Sequence, residues 1–127
     1  MTRAVLRVLV ADDNAVIADT LAQALKLQGF DAVAVDSWEA AVVAASTLHP
    51  DVAILDVVLS GINGIDAALA ILKVQPTCRI ILFSGNHETA AILEKALADG
   101  HSFEIFAKPV HLLELLEALG PLLPQIA

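Results

Sequence analysis

The sequence predicts an α/β domain in which five strand–helix repeats form a doubly wound parallel sheet, covered on both faces. Three observations lead there. Short apolar runs alternate with longer stretches whose apolar residues recur at helical spacing. The run at 52–55 is apolar at every position, as a strand buried on both faces requires. Four of the runs stop at chemically active residues: Asp12 with Asp13, Asp56, Ser84 and Lys108. In an open parallel sheet the carboxyl ends of the strands line one crevice, where ligands bind. Three carboxylates, a hydroxyl and an ammonium are therefore expected to share a pocket.

Taken in order, the first strand is expected over residues 4–11, ending at Asp12 and Asp13. The first helix follows over 15–28, with Ile17, Leu21, Ala24 and Leu25 at helical spacing; Asn14 can cap its start and Gly29 can end it. Residues 30–35 alternate like a short strand. Asp36 stands three before Glu39, a capping-box-like start to a second helix that His49 and Pro50 stop. After the third strand, the loop 60–64 opens a third helix reaching Val74 and closed by Pro76. A fourth strand covers 79–83, and Gly85 and Asn86 turn it into a fourth helix over 88–98, ended by Gly100. The fifth strand, 103–107, abuts Lys108 and Pro109; a fifth helix starts near Val110 and breaks at Gly120 and Pro121. Crossovers of this kind are right-handed. No linker or internal repeat divides residues 1–127, so one domain is expected.

Composition narrows the function. The chain is 57% hydrophobic and 17% charged, enough apolar material for a filled core. Its net charge of −8, with only 7 Lys and Arg, disfavours nucleic acid and anionic membrane as direct partners. The one cysteine, Cys78, excludes an internal disulfide and fits a reducing compartment. The N-terminal apolar run is short and interrupted by Arg7, unlike a signal peptide, and no stretch approaches a bilayer span. A soluble cytoplasmic protein is expected.

Three carboxylates in one crevice repel one another, and a divalent cation removes that cost. Oxygen-only ligands, few in number and with room left for water and phosphate, favour Mg²⁺ over Zn²⁺. The four histidines show no zinc-like spacing with Cys78. A carboxylate beside Mg²⁺ can attack a phosphoryl donor and form an aspartyl phosphate. Asp56, alone at the end of what should be the central strand, is the natural nucleophile. Lys108 can supply a second positive pole, and the Ser84 hydroxyl can donate a hydrogen bond to a phosphoryl oxygen.

The set Asp12–Asp13, Asp56, Ser84 and Lys108–Pro109, in this order at these strand ends, resembles the receiver domain of two-component response regulators. The likeness spans essentially the whole chain. It implies a flavodoxin-like sheet of order 2-1-3-4-5. It further implies that Asp56 accepts a phosphoryl group from a sensor histidine kinase or phosphotransfer protein. Asp13, Asp56 and the backbone carbonyl of Val58 would hold Mg²⁺, with Asp12 assisting through water. Ser84 would be the switch hydroxyl, Lys108 the family's ammonium, and Gly64 the glycine that starts the third helix. The face made by the fourth helix, fifth strand and fifth helix (α4-β5-α5) would present the switched state to a downstream protein partner. Departures are Ser60 where the family usually has proline, Gly85 where alanine is usual, and Ile105 at the usual aromatic switch position. Leu112, Leu113, Leu115, Leu116, Leu119, Leu122 and Leu123 cover more than one helical stripe, which marks the fifth helix as a candidate homodimer or partner surface. Two alternatives stand beside this reading. One is a degenerate receiver that only binds partners. The other is a haloacid-dehalogenase-like Mg²⁺ phosphohydrolase, which would want Asp-x-Asp where this chain has adjacent aspartates.

Overall fold

Apolar residues at both parities of the strands build a sheet that is buried on two sides. The computed structural model describes residues 6–56, 58, 59, 62–84, 94, 98, 100 and 104–107. Its elements are β1 (Arg7–Ala11), α1 (Ala15–Leu27), β2 (Asp31–Val35), α2 (Trp38–Leu48), β3 (Val52–Asp56), β4 (Val58–Leu59), β5 (Ile62–Asn63), α3 (Gly64–Val74), β6 (Arg79–Ser84) and β7 (Glu104–Ala107). The main sheet runs β2-β1-β3-β6-β7, every neighbouring pair parallel, so the five long strands take the expected order 2-1-3-4-5. The sheet reverses its winding between β1 and β3, the place where such folds open a crevice.

Alternation along each strand divides the core. Val8, Val10, Val52, Ile54, Ile81 and Phe83 join Ala18, Ala22 and Leu25 of α1 in one buried cluster. Leu9, Ala11, Ala53, Leu55, Ile80 and Leu82 join Ala41 and Ala45 of α2 and Ala67, Ala68 and Ile71 of α3 in the other. The second cluster is rich in alanine where helix meets sheet. Small side chains there let α2, over β1, and α3, over β3 and β6, pack side by side on one face of the sheet.

The helix ends follow local chemistry. Asn14 caps α1, its Oδ1 accepting from the N–H groups of Val16 (3.1 Å) and Ile17 (3.3 Å). Gly29, at φ 97°, ends the helix as expected: its N–H donates to the Lys26 carbonyl and that of Phe30 to the Leu25 carbonyl, a Schellman motif. Phe30 and Leu25 are both buried, the apolar contact that usually accompanies the motif. His49, the residue before Pro50, stops α2 in the left-handed region at φ 50°. One expectation fails. Ser37, not Asp36, caps α2, its hydroxyl accepting from the Ala40 N–H at 3.2 Å. The reason lies in the ladder, because the Val35 carbonyl still accepts from the Asp12 N–H at 3.2 Å and carries the chain past β2 before it can turn.

Polar contacts brace the amino ends of the strands, away from the crevice. The Asp51 carboxylate accepts from the Arg7 N–H at 2.9 Å, and the Arg7 guanidinium donates to the last α2 carbonyl, Leu48, at 2.8 Å. Asp51 also bridges in its backbone, its N–H donating to the Arg7 carbonyl and its carbonyl accepting from the Arg79 N–H, both at 2.9 Å. Arg79 grips Glu104 with two bonds, at 2.9 and 2.7 Å, tying β6 to β7.

Cys78, buried before β6, has its thiol pushed up to about 12 by burial and, secondarily, by the Asp51 charge. A raised thiol pKa stabilises the fold below the unfolded value of about 9, and that contribution is lost as pH climbs toward 12. Wild type is therefore expected to lose stability relative to Cys78→Ala across that window, by at most about 1.4 kcal/mol per pH unit. Urea midpoints of both proteins below and inside the window test this; a constant gap would contradict it.

Glu94 and Ala98 are helical, and Gly100 sits in a turn at φ 91°, where the fourth helix was expected to end. The remainder of that helix, the whole fifth helix with its leucines, and Lys108 with Pro109 lie outside the described residues.

Candidate functional site

The sheet register brings the aspartates together. Ala11 pairs with Leu55 across β1 and β3, so the residues that follow, Asp12 and Asp56, leave adjacent strands side by side. Asp12 extends the β1–β2 ladder by one bond and is 3% exposed. Its Oδ1 accepts from the Asn14 N–H at 2.9 Å, a local turn that holds the carboxylate back over the strand end. Asp13, next in the chain, is exposed. Asp56 closes β3, pairs in register with Phe83 of β6 and is 6% exposed. One carboxylate oxygen from each of Asp12, Asp13 and Asp56 lies within 4.8 Å of the others.

That spacing suits one small cation. Two of the three carboxylates are buried, where charge is costly unless compensated. The donor set is all oxygen, with no nitrogen or sulfur ligand among the described residues of the cluster. Hard divalent ions such as Mg²⁺ bind through one or two carboxylates with water and phosphate completing the shell, and these residues fit that pattern.

Two other expected site positions are seen at the backbone level. Val58 enters a small antiparallel hairpin, pairing with Asn63 while Leu59 pairs with Ile62. Ser84 is the last residue of β6 and pairs with Ala107, the last of β7, at the same end of the sheet as Asp56. Lys108 follows Ala107 directly in sequence and lies outside the described residues. An open depression of about 210 Å³ lies between α1 and the end of β2, lined by Ala15, Ala18, Asp19, Ala34, Val35 and Asp36. It contains none of the three clustered aspartates.

One feature not read from the sequence is the second role of Asn14. Its cap on α1 was legible, but the bond from its own N–H to Asp12 was not. The spacing Asp-x-Asn, an Asx-turn pattern, was the signal available.

A family model for the response regulator receiver domain matches residues 8–120. The chain belongs to that family. Receiver domains are signalling modules of two-component systems and bind Mg²⁺ at an acidic pocket, and this receiver carries such a cluster. The DNA-binding response regulator MtrA of Mycobacterium tuberculosis is 32% identical over 87 residues, covering 68% of this chain and 38% of that protein. A protein-glutamate methylesterase/protein-glutamine glutaminase of Thermotoga maritima is 38% identical over 115 residues, covering 86% of this chain and 32% of its own length. The receiver thus spans well under half of these curated relatives. Among solved structures, a response regulator of Burkholderia pseudomallei with a phosphorylated aspartic acid, calcium ion and citrate superposes with TM-score 0.77. That protein is 28% identical, the match covering 90% of this chain and 66% of the other. A CheY-like receiver domain protein of Methanospirillum hungatei shares the fold, with TM-score 0.80 at 22% identity and 94% coverage of both chains. No helix among the described residues is long and apolar enough to cross a membrane.

Proposed function

We propose that residues 1–127 form one receiver, that Asp56 is its phosphoacceptor, and that Mg²⁺ bound by Asp13, Asp56 and the Val58 carbonyl, with Asp12 acting through water, supports the reaction. The observation that carries this is the convergence of Asp12, Asp13 and Asp56 within 4.8 Å at the ends of two adjacent strands. The donor is a phosphohistidine of a sensor histidine kinase or phosphotransfer protein. A carboxylate oxygen of Asp56 attacks phosphorus, the P–N bond breaks, and the imidazole nitrogen keeps the electron pair and takes up a proton. When bound, Mg²⁺ neutralises charge on the transferring phosphoryl oxygens. Asp12, fixed by Asn14, orients the ion's water shell. Ser84 and Lys108 engage the phosphoryl oxygens from the ends of the two neighbouring strands. Their inward movement biases the face of the fourth helix, β7 and fifth helix toward a downstream protein. The chain acts on no substrate other than its own aspartyl phosphate, works in the cytoplasm and contacts neither nucleic acid nor membrane directly. The fifth helix is its candidate dimer surface.

Acetyl phosphate with Mg²⁺, followed by intact mass, tests the assignment. Wild type is expected to gain the mass of one HPO₃ group and Asp56→Asn to gain none. Uptake by Asp56→Asn at the wild-type level would move the acceptor elsewhere. Catalytic turnover of a small phosphomonoester would instead favour a phosphohydrolase.

A further inference from the structure

Asn14 stands between the acidic pocket and the surface of α1. Its backbone N–H donates to Asp12 Oδ1 at 2.9 Å, and its side-chain oxygen accepts from the N–H groups of Val16 and Ile17 at 3.1 and 3.3 Å. One residue thus holds a pocket carboxylate with one group and the first turn of a helix with another. Both sets of bonds depend on the same backbone conformation, φ −88° and ψ 102°. The turn it holds is not a buried one. Val16 is 73% exposed and Ile17 47% exposed, two large apolar side chains facing solvent at the helix's amino end. The rest of α1 is anchored by Ala18, Ala22 and Leu25 in the core. The first turn is therefore the part of the helix whose order rests most on its cap.

We propose that Asn14 is a positioning residue that couples cation occupancy of the acidic pocket to the order of the first turn of α1. This rests on the reading of Asp12, Asp13 and Asp56 as a Mg²⁺ pocket. A cation drawn to the cluster restricts the Asp12 carboxylate. That carboxylate holds the Asn14 N–H, and the fixed Asn14 backbone keeps its side-chain oxygen aimed at Val16 and Ile17. By linkage the effect runs both ways, so loosening the cap weakens the cation site. The exposed apolar pair Val16 and Ile17 then reports the state of the pocket on a face separate from that of β7.

Calorimetric titration with Mg²⁺ alone, without phosphodonor, and amide exchange at Val16 and Ile17 test the coupling. In wild type, saturating Mg²⁺ is expected to slow exchange at both amides severalfold. Asn14→Ala keeps the N–H that holds Asp12 but removes the capping oxygen that fixes the backbone, so Mg²⁺ affinity is expected to fall about fivefold or more and the exchange response to vanish. Asn14→Ser, which keeps a capping oxygen, is expected to restore both. A cap with a structural role only would lower stability in Asn14→Ala while leaving Mg²⁺ affinity at the wild-type value, and that result overturns the coupling. So does wild-type protein that binds Mg²⁺ with exchange at Val16 and Ile17 unchanged. Wild type that takes up no Mg²⁺ overturns the metal reading itself, and the coupling with it.

Discussion

Chelating Mg²⁺, or replacing Asp13 with Asn, is expected to slow phosphoryl uptake from acetyl phosphate by about a hundredfold or more. The physical case starts from charge. An incoming phosphoryl donor is an anion, and it meets three carboxylates whose oxygens lie within 4.8 Å of one another. Like charges about 4 Å apart repel by roughly 4 kcal/mol at an effective dielectric of about 20. A cation in the cluster turns that repulsion into attraction and stabilises charge on the transferring group by several kcal/mol. Each 1.36 kcal/mol is a factor of about ten in rate, so two or more powers of ten depend on the ion. Asp13 is the informative position because it is exposed, while Asp12 and Asp56 are buried. Asp13→Asn removes one of three mutually repelling charges, so in metal-free buffer it should raise the urea midpoint above wild type while losing Mg²⁺ dependence. Rates measured by intact mass, with and without EDTA, decide the matter. An EDTA-insensitive wild-type rate would remove the cation from the mechanism.

Leu55→Ala is expected to lower stability by about 2–5 kcal/mol in urea unfolding. Leu55 is fully buried in the cluster that joins β1, β3 and β6 to α2 and α3, and it pairs with Ala11 and Leu82 on its two neighbours. Ala11, its partner on β1, and Ala53, on the same face of β3, are too small to refill the space, so much of the cavity should persist. A domain of this size is typically stable by only 5–15 kcal/mol, so the loss is a large share of the total. Ile54→Val, on the opposite face of the same strand, should cost about 0.5–1.5 kcal/mol. Equal losses at the two positions would contradict the packing described for Leu55.

The same residues show what could be read in advance. The strand ends were legible because an apolar run that stops at Asp12 or Asp56 marks both the edge of the core and the place where charge can reach water. The parallel sheet followed from the βα alternation, and its order from the resemblance to the receiver family. Less legible were features decided by single hydrogen bonds between distant segments. Asp36 and Ser37 are both good caps, and Glu39 favoured the first; the bond from Asp12 to the Val35 carbonyl selected the second. The hairpin of Val58–Leu59 with Ile62–Asn63 has strands of two residues, too short to show any periodicity. Asp12 and Asp13 look alike in sequence, yet one is buried and bonded to Asn14 while the other faces solvent. The register of β1 sets that difference, and register is a property of the paired sheet rather than of either residue.

The bracing of Arg7, Asp51, Arg79 and Glu104 carries a mechanical consequence. At the end of the strands remote from the aspartates, side chains and backbone cross-tie β1, the start of β3, β6 and β7. A domain clamped at its foot can flex at its crown without shearing its ladders.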